Sequence, residues 1–175
     1  MNEPKQWSQQ DEHTFSITAD AKTDFWRVTR HNFIAENGHF YYQNIQGDFT
    51  ADVKVTGEYN ALYDQAGLMV YANALTWLKC GIEFLHGVQQ ASAVITREFS
   101  DWSIVPLPEN PRSTWFRLDR IGPTVEVSYS PDGSTYTLIR QGYLTTDLSL
   151  RVGLLSAAPQ GEGFTATYEG FSIKS

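Results

Sequence analysis

The chain has 175 residues, of which 41% are hydrophobic and 19% charged, and these values fit one globular domain with its own core. Its 13 Lys and Arg residues stand against 20 Asp and Glu residues, so the net charge is −7. We predict no binding to nucleic acid or to an anionic membrane, because both require a basic surface. A single cysteine, Cys80, excludes an internal disulfide, and neither a membrane span nor a signal-peptide core is found. A cytoplasmic protein is expected.

Most of the sequence has the pattern of short β-strands. Phe49, Ala51, Val53 and Val55 alternate with polar residues, which is the period of two of a strand with one covered face. Further strands are predicted over residues 65–72, 76–85, 91–97, 102–105, 114–121, 124–130, 135–141, 150–156 and 163–174. The segment SPDGS, residues 130–134, predicts a tight hairpin turn, since Pro, Asp and Gly favour turn conformations. No long segment has the period of a helix.

The regular spacing of these strands predicts an all-β fold. About a dozen short strands separated by turn residues indicate two packed antiparallel sheets, a single-domain sandwich that spans residues 1–175. The segment PLPENPRS, residues 106–113, is expected to be the loosest part of the chain. Its three prolines cannot donate backbone hydrogen bonds to a sheet.

Several segments, taken in order, resemble a known family. They are TDFWR (23–27), NGHFYY (37–42), GDFTADVKV (47–55), YDQAGLMVY (63–71), WLKCGIEF (77–84), ITREFSDW (95–102), VGLLSAAP (152–159) and GFSI (170–173). Their order and spacing resemble the DUF1349 family of the concanavalin A-like lectin/glucanase superfamily. The segment DQAGLMVY also resembles the accessory β-sandwich of some β-xylosidases. The resemblance implies a jelly-roll sandwich whose concave sheet holds sugars, while the family label, regulation of enolase, implies a protein partner.

Alternation within the strands separates a core face from a polar and aromatic face. The core face of strand 76–85 carries Leu78, Cys80, Ile82 and Phe84. If strands 65–72, 76–85 and 114–121 are neighbours, their opposite faces form one groove. The predicted ligand-binding residues of this groove are Gln65, Tyr71, Trp77, Lys79, Glu83, Trp102 and Arg117. A register slip of one residue would bury Lys79 and Glu83, so these faces are strongly determined.

Aromatic rings beside hydrogen-bonding side chains suit a pyranose, because its C–H face stacks on a ring while its hydroxyls meet polar groups. We therefore predict a non-catalytic domain that binds a carbohydrate or another small polar ligand. Two alternatives remain open: an intracellular protein-interaction domain of the enolase-regulation type, and an atypical glycoside hydrolase with carboxylates around Glu83. Catalytic members of the resembled superfamily carry Glu-x-Asp-x-x-Glu on one strand, and this sequence has no such string.

No cofactor and no metal are predicted. The histidines His13, His31, His39 and His86 lie far apart in the sequence and have no ligand-like spacing. Calcium bound by loop carboxylates is the alternative, with candidates Asp20, Asp24, Asp64 and Asp101. Phe25 and Trp26 are expected to anchor the N-terminal segment to the sandwich rather than to contact a ligand.

Overall fold

The computed structural model describes residues 1–175 and consists of β-strands and the turns that join them. The fifteen strands are β1 (Gln6–Asp11), β2 (Thr14–Asp20), β3 (Phe25–Arg27), β4 (Ile34–Glu36), β5 (His39–Gln46), β6 (Phe49–Gly57), β7 (Gln65–Asn73), β8 (Thr76–Leu85), β9 (Val88–Arg97), β10 (Phe99–Leu107), β11 (Thr114–Ile121), β12 (Thr124–Ser130), β13 (Thr137–Tyr143), β14 (Ser149–Ala157) and β15 (Gly163–Lys174). Nowhere does the chain form a helix that is long and apolar enough to cross a membrane.

The strands form two antiparallel sheets and one small hairpin. The seven-stranded sheet has the order β1-β2-β15-β6-β11-β12-β13, and the six-stranded sheet has the order β10-β9-β8-β7-β14-β5. β3 and β4 pair only with each other. The predicted all-β antiparallel sandwich is confirmed, and the predicted strands at 76–85, 114–121, 124–130 and 163–174 have the bounds that the alternation indicated.

The main hydrophobic core lies between the two sheets. Val53 of β6 and Phe116 of β11 belong to it from one sheet, and Leu68 of β7 and Ile82 of β8 belong to it from the other. These side chains are almost completely buried, and each contributes roughly 1.5–3 kcal/mol by leaving water. The apolar face predicted for strand 76–85 is the face that points into this core.

A second hydrophobic cluster lies on the outer face of the six-stranded sheet. Its seven buried residues are Phe25, Phe40, Met69, Tyr71, Trp77, Val94 and Leu155. The β3–β4 hairpin supplies Phe25, whose ring centroid lies 6.1 Å from that of Trp77. The amide of Arg27 donates a hydrogen bond to Ser100 Oγ at 2.9 Å, which ties the hairpin to β10. The hairpin therefore covers part of a sheet face that the alternation pattern leaves open.

The loop predicted over residues 106–113 begins two residues later in the structure. β10 continues through Pro106 to Leu107, and these residues pair with Gln90 and Gln89 of β9. β10 is an edge strand of its sheet, and an edge tolerates proline because the missing N–H can face away from the partner strand.

Candidate functional site

A cavity of about 290 Å³ opens beside the β3–β4 hairpin, over the outer face of the six-stranded sheet. The hairpin and the loop before it form one side, β7, β8 and β10 form the floor and the opposite side, and Pro159 and Gln160 close one end. Protein pockets for small molecules measure about 300–1,000 Å³, so this volume suits a ligand of about the size of one or two sugar rings.

The floor of the cavity contains a buried polar network around Lys79. The Lys79 ammonium donates a hydrogen bond of 2.6 Å to Gln65 Oε1 and lies 3.4 Å from Asp24 Oδ1. Gln65 Nε2 donates to the same Asp24 oxygen at 3.2 Å, and the Phe25 amide donates to it at 2.8 Å. Gln65 and Lys79 are 4% and 5% exposed. Each of these groups is held in place by another, so the network is rigid before any ligand arrives.

Glu83 forms the second polar part of the floor. Its Oε2 accepts hydrogen bonds of 2.8 Å from Ser92 Oγ and 2.8 Å from Trp102 Nε1. The residue is 8% exposed, and its burial raises the pKa of the carboxyl, an effect that Lys79 and these two hydrogen bonds oppose. Glu83 Oε1 and Asp24 Oδ2 have no hydrogen-bond partner in the protein and are not enclosed by it. Both oxygens can accept from a ligand.

Aromatic side chains form the walls of the cavity. Trp26 of β3 and Trp102 of β10 meet edge to face, with ring centroids 6.5 Å apart and an interplanar angle of 90°. The ring of His31 lies 6.0 Å from that of Trp26 and 6.1 Å from that of Phe33. The cavity thus combines a polar floor, which can bind the hydroxyls of a sugar, with flat apolar walls, on which the C–H face of the sugar ring can stack.

Two glycines deepen the floor between Lys79 and Glu83. Gly67 of β7 pairs with Gly81 of β8, and a Cβ on either would lie about 2 Å from a carbonyl oxygen of the opposite strand. A small hollow lined by Gly81 and Ser92 adjoins the main cavity and shares Lys79 and Glu83 with it. The two strands approach this closely only because neither residue has a side chain.

The structure brings together four of the seven residues predicted to bind a ligand. Gln65, Lys79, Glu83 and Trp102 line the same cavity. Tyr71 and Trp77 lie on the predicted face but do not reach the cavity, so the expectation that they line it is wrong. The β3–β4 hairpin covers both: Trp77 is 1% exposed, and the Tyr71 hydroxyl donates a hydrogen bond to Glu36 of β4.

Arg117 does not lie in a common groove with the other predicted residues, contrary to the expectation. β11 belongs to the seven-stranded sheet, so Arg117 projects from a different sheet than the cavity. Its Nε donates a hydrogen bond of 2.8 Å to Asp52, and its guanidinium lies 4.2 Å from the centroid of the Tyr136 ring. These contacts raise the pKa of Arg117, chiefly through the hydrogen bond to Asp52, and give the residue a structural role.

Sequence reasoning missed the contribution of the hairpin and the loop before it. The sequence indicates Asp24 only as a calcium candidate and Trp26 only as an anchor, whereas both residues line the cavity, as do His31 and Phe33. The local signal was the cluster of aromatic and polar residues in TDFWR followed by HNF. β3 and β4 have three residues each, which is too short for an alternation pattern.

No group of three or more His, Cys, Asp or Glu side chains converges anywhere in the chain in a way that could hold a metal ion. Of the four calcium candidates, Asp24 contacts Lys79 and Asp101 contacts Arg140. Asp64 accepts hydrogen bonds from the amides of Asn60 and Ala61.

These features define the class of protein: an antiparallel β-sandwich with a polar, aromatic-walled cavity on the outer face of its six-stranded sheet. Within this class, the chain belongs to the family described as Protein of unknown function (DUF1349), whose model matches residues 1–175. The resemblance found in the sequence is thereby confirmed.

Three comparisons place the chain among known proteins. The Saccharomyces cerevisiae protein named Regulation of enolase protein 1 is 35% identical over 173 residues, which cover 99% of this chain and 87% of that protein. A crystal structure of a functionally unknown protein from Saccharomyces cerevisiae superposes with a TM-score of 0.94 at 35% identity, covering 100% of this chain and 94% of that one. A GH43 protein from Bacillus licheniformis superposes with a TM-score of 0.72 at 16% identity, covering 98% of this chain but 35% of that one. The last similarity concerns the fold alone.

Proposed function

We propose that this chain is a non-catalytic carbohydrate-binding domain and that the cavity beside the β3–β4 hairpin holds a small saccharide. The observation that supports the proposal most strongly is the buried network of Asp24, Gln65 and Lys79 beneath aromatic walls. Burying polar groups is unfavourable unless they are hydrogen-bonded, and here the bonded groups still leave oxygens free at the cavity. Sugar hydroxyls can donate to those oxygens while a C–H face packs on Trp26 or Trp102.

The hydrogen-bonded floor is ordered without a ligand, which suits the binding of a small molecule. Glu83 is fixed by Ser92 and Trp102, and Lys79 is fixed by Gln65 and Asp24. Side chains that are already ordered lose little conformational entropy when a ligand arrives. A small ligand with several hydroxyls can therefore bind with little loss of side-chain conformational entropy in the site.

Calorimetry with the purified protein and a panel of monosaccharides and short oligosaccharides tests the proposal. Trp102→Ala removes one wall and should weaken the binding of an identified sugar at least about tenfold, since tryptophans in binding sites often supply a large share of the binding energy. Trp7→Ala is the matched control, because Trp7 is a half-exposed tryptophan on β1 that does not line this cavity. Absence of binding at millimolar concentration of every sugar, or equal losses in both variants, would overturn the proposal.

Regulation of enolase is the second candidate function, and it is favoured by the 35% identity with the yeast protein of that name. In this case the chain acts through contact with another protein. The test is the catalytic rate of purified enolase with and without an excess of this chain. An unchanged rate, together with no complex on size-exclusion chromatography, would exclude a direct effect.

A further inference from the structure

We propose that the saccharide in this cavity carries a protonated amine, as an amino sugar with a free ammonium group does, and that Glu83 binds this ammonium. The inference rests on the proposed function, because it names the class of carbohydrate that the same cavity takes. It follows from which polar atoms at the floor are already used and which are free.

Two carboxylate oxygens at the floor have no donor in the protein. Glu83 Oε2 is occupied by Ser92 and Trp102, whereas Oε1 has no protein donor. Asp24 Oδ1 accepts from three protein donors, whereas Oδ2 accepts from none. A carboxylate in a largely buried position gains most from a charged donor, because hydrogen bonds between oppositely charged groups are roughly twice as strong as neutral ones.

The cations that face the cavity form no ion pair with Glu83, although Lys79 favours its charged form from a distance. The ammonium of Lys79 already lies against Asp24 and Gln65. Lys22 is exposed at the rim, where its ammonium donates to the carbonyl of Gln160 at 3.0 Å. Glu83 therefore has no cation in direct contact, and a ligand ammonium at its Oε1 would supply one. A ligand carboxylate in the same place would face a buried like charge, which is unfavourable.

The aromatic walls suit the ring of the same ligand. Trp26 and Trp102 line the cavity, and Trp102 turns its N–H edge toward Glu83. A neutral sugar would gain the stacking of its C–H groups on these rings. An amino sugar would gain the same stacking together with the contact of its ammonium with Glu83.

Calorimetry at pH 6.5 with matched sugars tests the inference, because an aliphatic amine with a pKa of about 8 is protonated there. The probes are glucosamine, glucose, N-acetylglucosamine and glucuronate, with the galacto series as a second set. We expect glucosamine or galactosamine to bind at least about tenfold more tightly than its parent sugar. The N-acetylated sugar should bind no more tightly than the parent, and the uronate most weakly.

Glu83→Gln separates the role of the charge from the role of shape. In this variant the preference for the amino sugar should be lost, so that the amino sugar and its parent sugar bind within about threefold of each other. If neutral sugars or uronates bind as tightly as amino sugars to the unaltered protein, the inference is wrong and carbohydrate binding stands. If none of the sugars binds, the proposed function fails and the inference fails with it.

Discussion

At the scale of single residues, Trp77 shows how a side chain on the predicted face can have an unpredicted role. It is fully buried against Phe25 and lies in the cluster beneath the hairpin. Replacement of Trp77 by Ala should therefore lower the free energy of unfolding by about 3–5 kcal/mol. Phe84, which is half-buried beside Tyr59, should lose only about 1–2 kcal/mol when replaced by Ala.

The informative result is which of the two variants loses more free energy of unfolding. Urea unfolding of both, followed by fluorescence and circular dichroism, gives the two free energies directly. The alternation pattern alone predicts the opposite order, because it treats Trp77 as an exposed ligand contact. A larger loss for Phe84→Ala than for Trp77→Ala would show that the hairpin does not cover the sheet as described.

The burial of the Glu83 carboxyl leads us to expect that stability depends on pH. Burial raises the pKa of its carboxyl in the folded protein above its ordinary value of 4.5, so the folded state binds the proton more tightly than the unfolded state does. The raised pKa therefore stabilises the folded protein fully below pH 4.5, where the carboxyl is protonated. This stabilisation is lost as the pH rises through the folded-state pKa. Glu83→Gln has no such carboxyl and does not lose stability in this range.

The measurement is the urea midpoint of both proteins at pH 4 and at pH 7. The stability of Glu83→Gln relative to the unaltered protein should increase between these two values, because only the unaltered protein must ionise a buried carboxyl. A constant difference between the two proteins would mean that Glu83 titrates in the folded state as it does in the unfolded chain.

At the scale of strands, what could be predicted depended on the length of the element. β8 has ten residues, and its alternation was sufficient to predict its bounds and to place Glu83 and Ile82 on opposite faces. Three-residue strands such as β3 have no usable period, so their role as a cover over Trp77 was not visible. Arg117 was misplaced because alternation gives the face of a strand but not the sheet to which the strand belongs.

The pairing of β7 with β8 depends on Gly67. A Cβ at this position would lie 2.0 Å from the carbonyl oxygen of Cys80, and backbone atoms cannot move aside as a flexible side chain can. Gly67→Ala should therefore lower the free energy of unfolding by about 3 kcal/mol or more. Gly47→Ala is the control, because a Cβ there meets nothing within 4 Å and only the positive φ of 76° is unfavourable, at about 1–2 kcal/mol.

Thermal and urea unfolding of the two alanine variants measures the difference. A loss at Gly67 no larger than the loss at Gly47 would show that β7 and β8 can separate without cost. It would also imply that the hollow between Lys79 and Glu83 is not maintained by the close approach of these strands.

At the scale of the whole molecule, the six-stranded sheet has a hydrophobic cluster on each face. The main core on its inner face includes Cys80 and Leu78, and the smaller cluster on its outer face includes Trp77 and Met69. Neighbouring residues of β8 thus belong to different clusters. Since the same strand backbone supports both, loss of one cluster should weaken the other, and the cavity beside the hairpin depends on both.

The single cysteine can report whether the two clusters unfold together. Cys80 is buried in the main core, and its burial raises the pKa of the thiol to about 12. A thiol reagent should therefore modify it at least about a thousandfold more slowly in the folded protein than in concentrated urea, because reaction requires an opening that costs about 5 kcal/mol or more.

Trp77→Ala should then accelerate the modification of Cys80, although the substitution lies in the other cluster. If the molecule opens as one unit, a loss of about 3 kcal/mol raises the population of the open state and the labelling rate by about a hundredfold. The rate of thiol modification in native buffer, compared between Trp77→Ala and the unaltered protein, gives this ratio. An unchanged rate at Cys80, accompanied by faster hydrogen exchange in residues 25–36 alone, would show that the outer cluster and its hairpin open independently of the core.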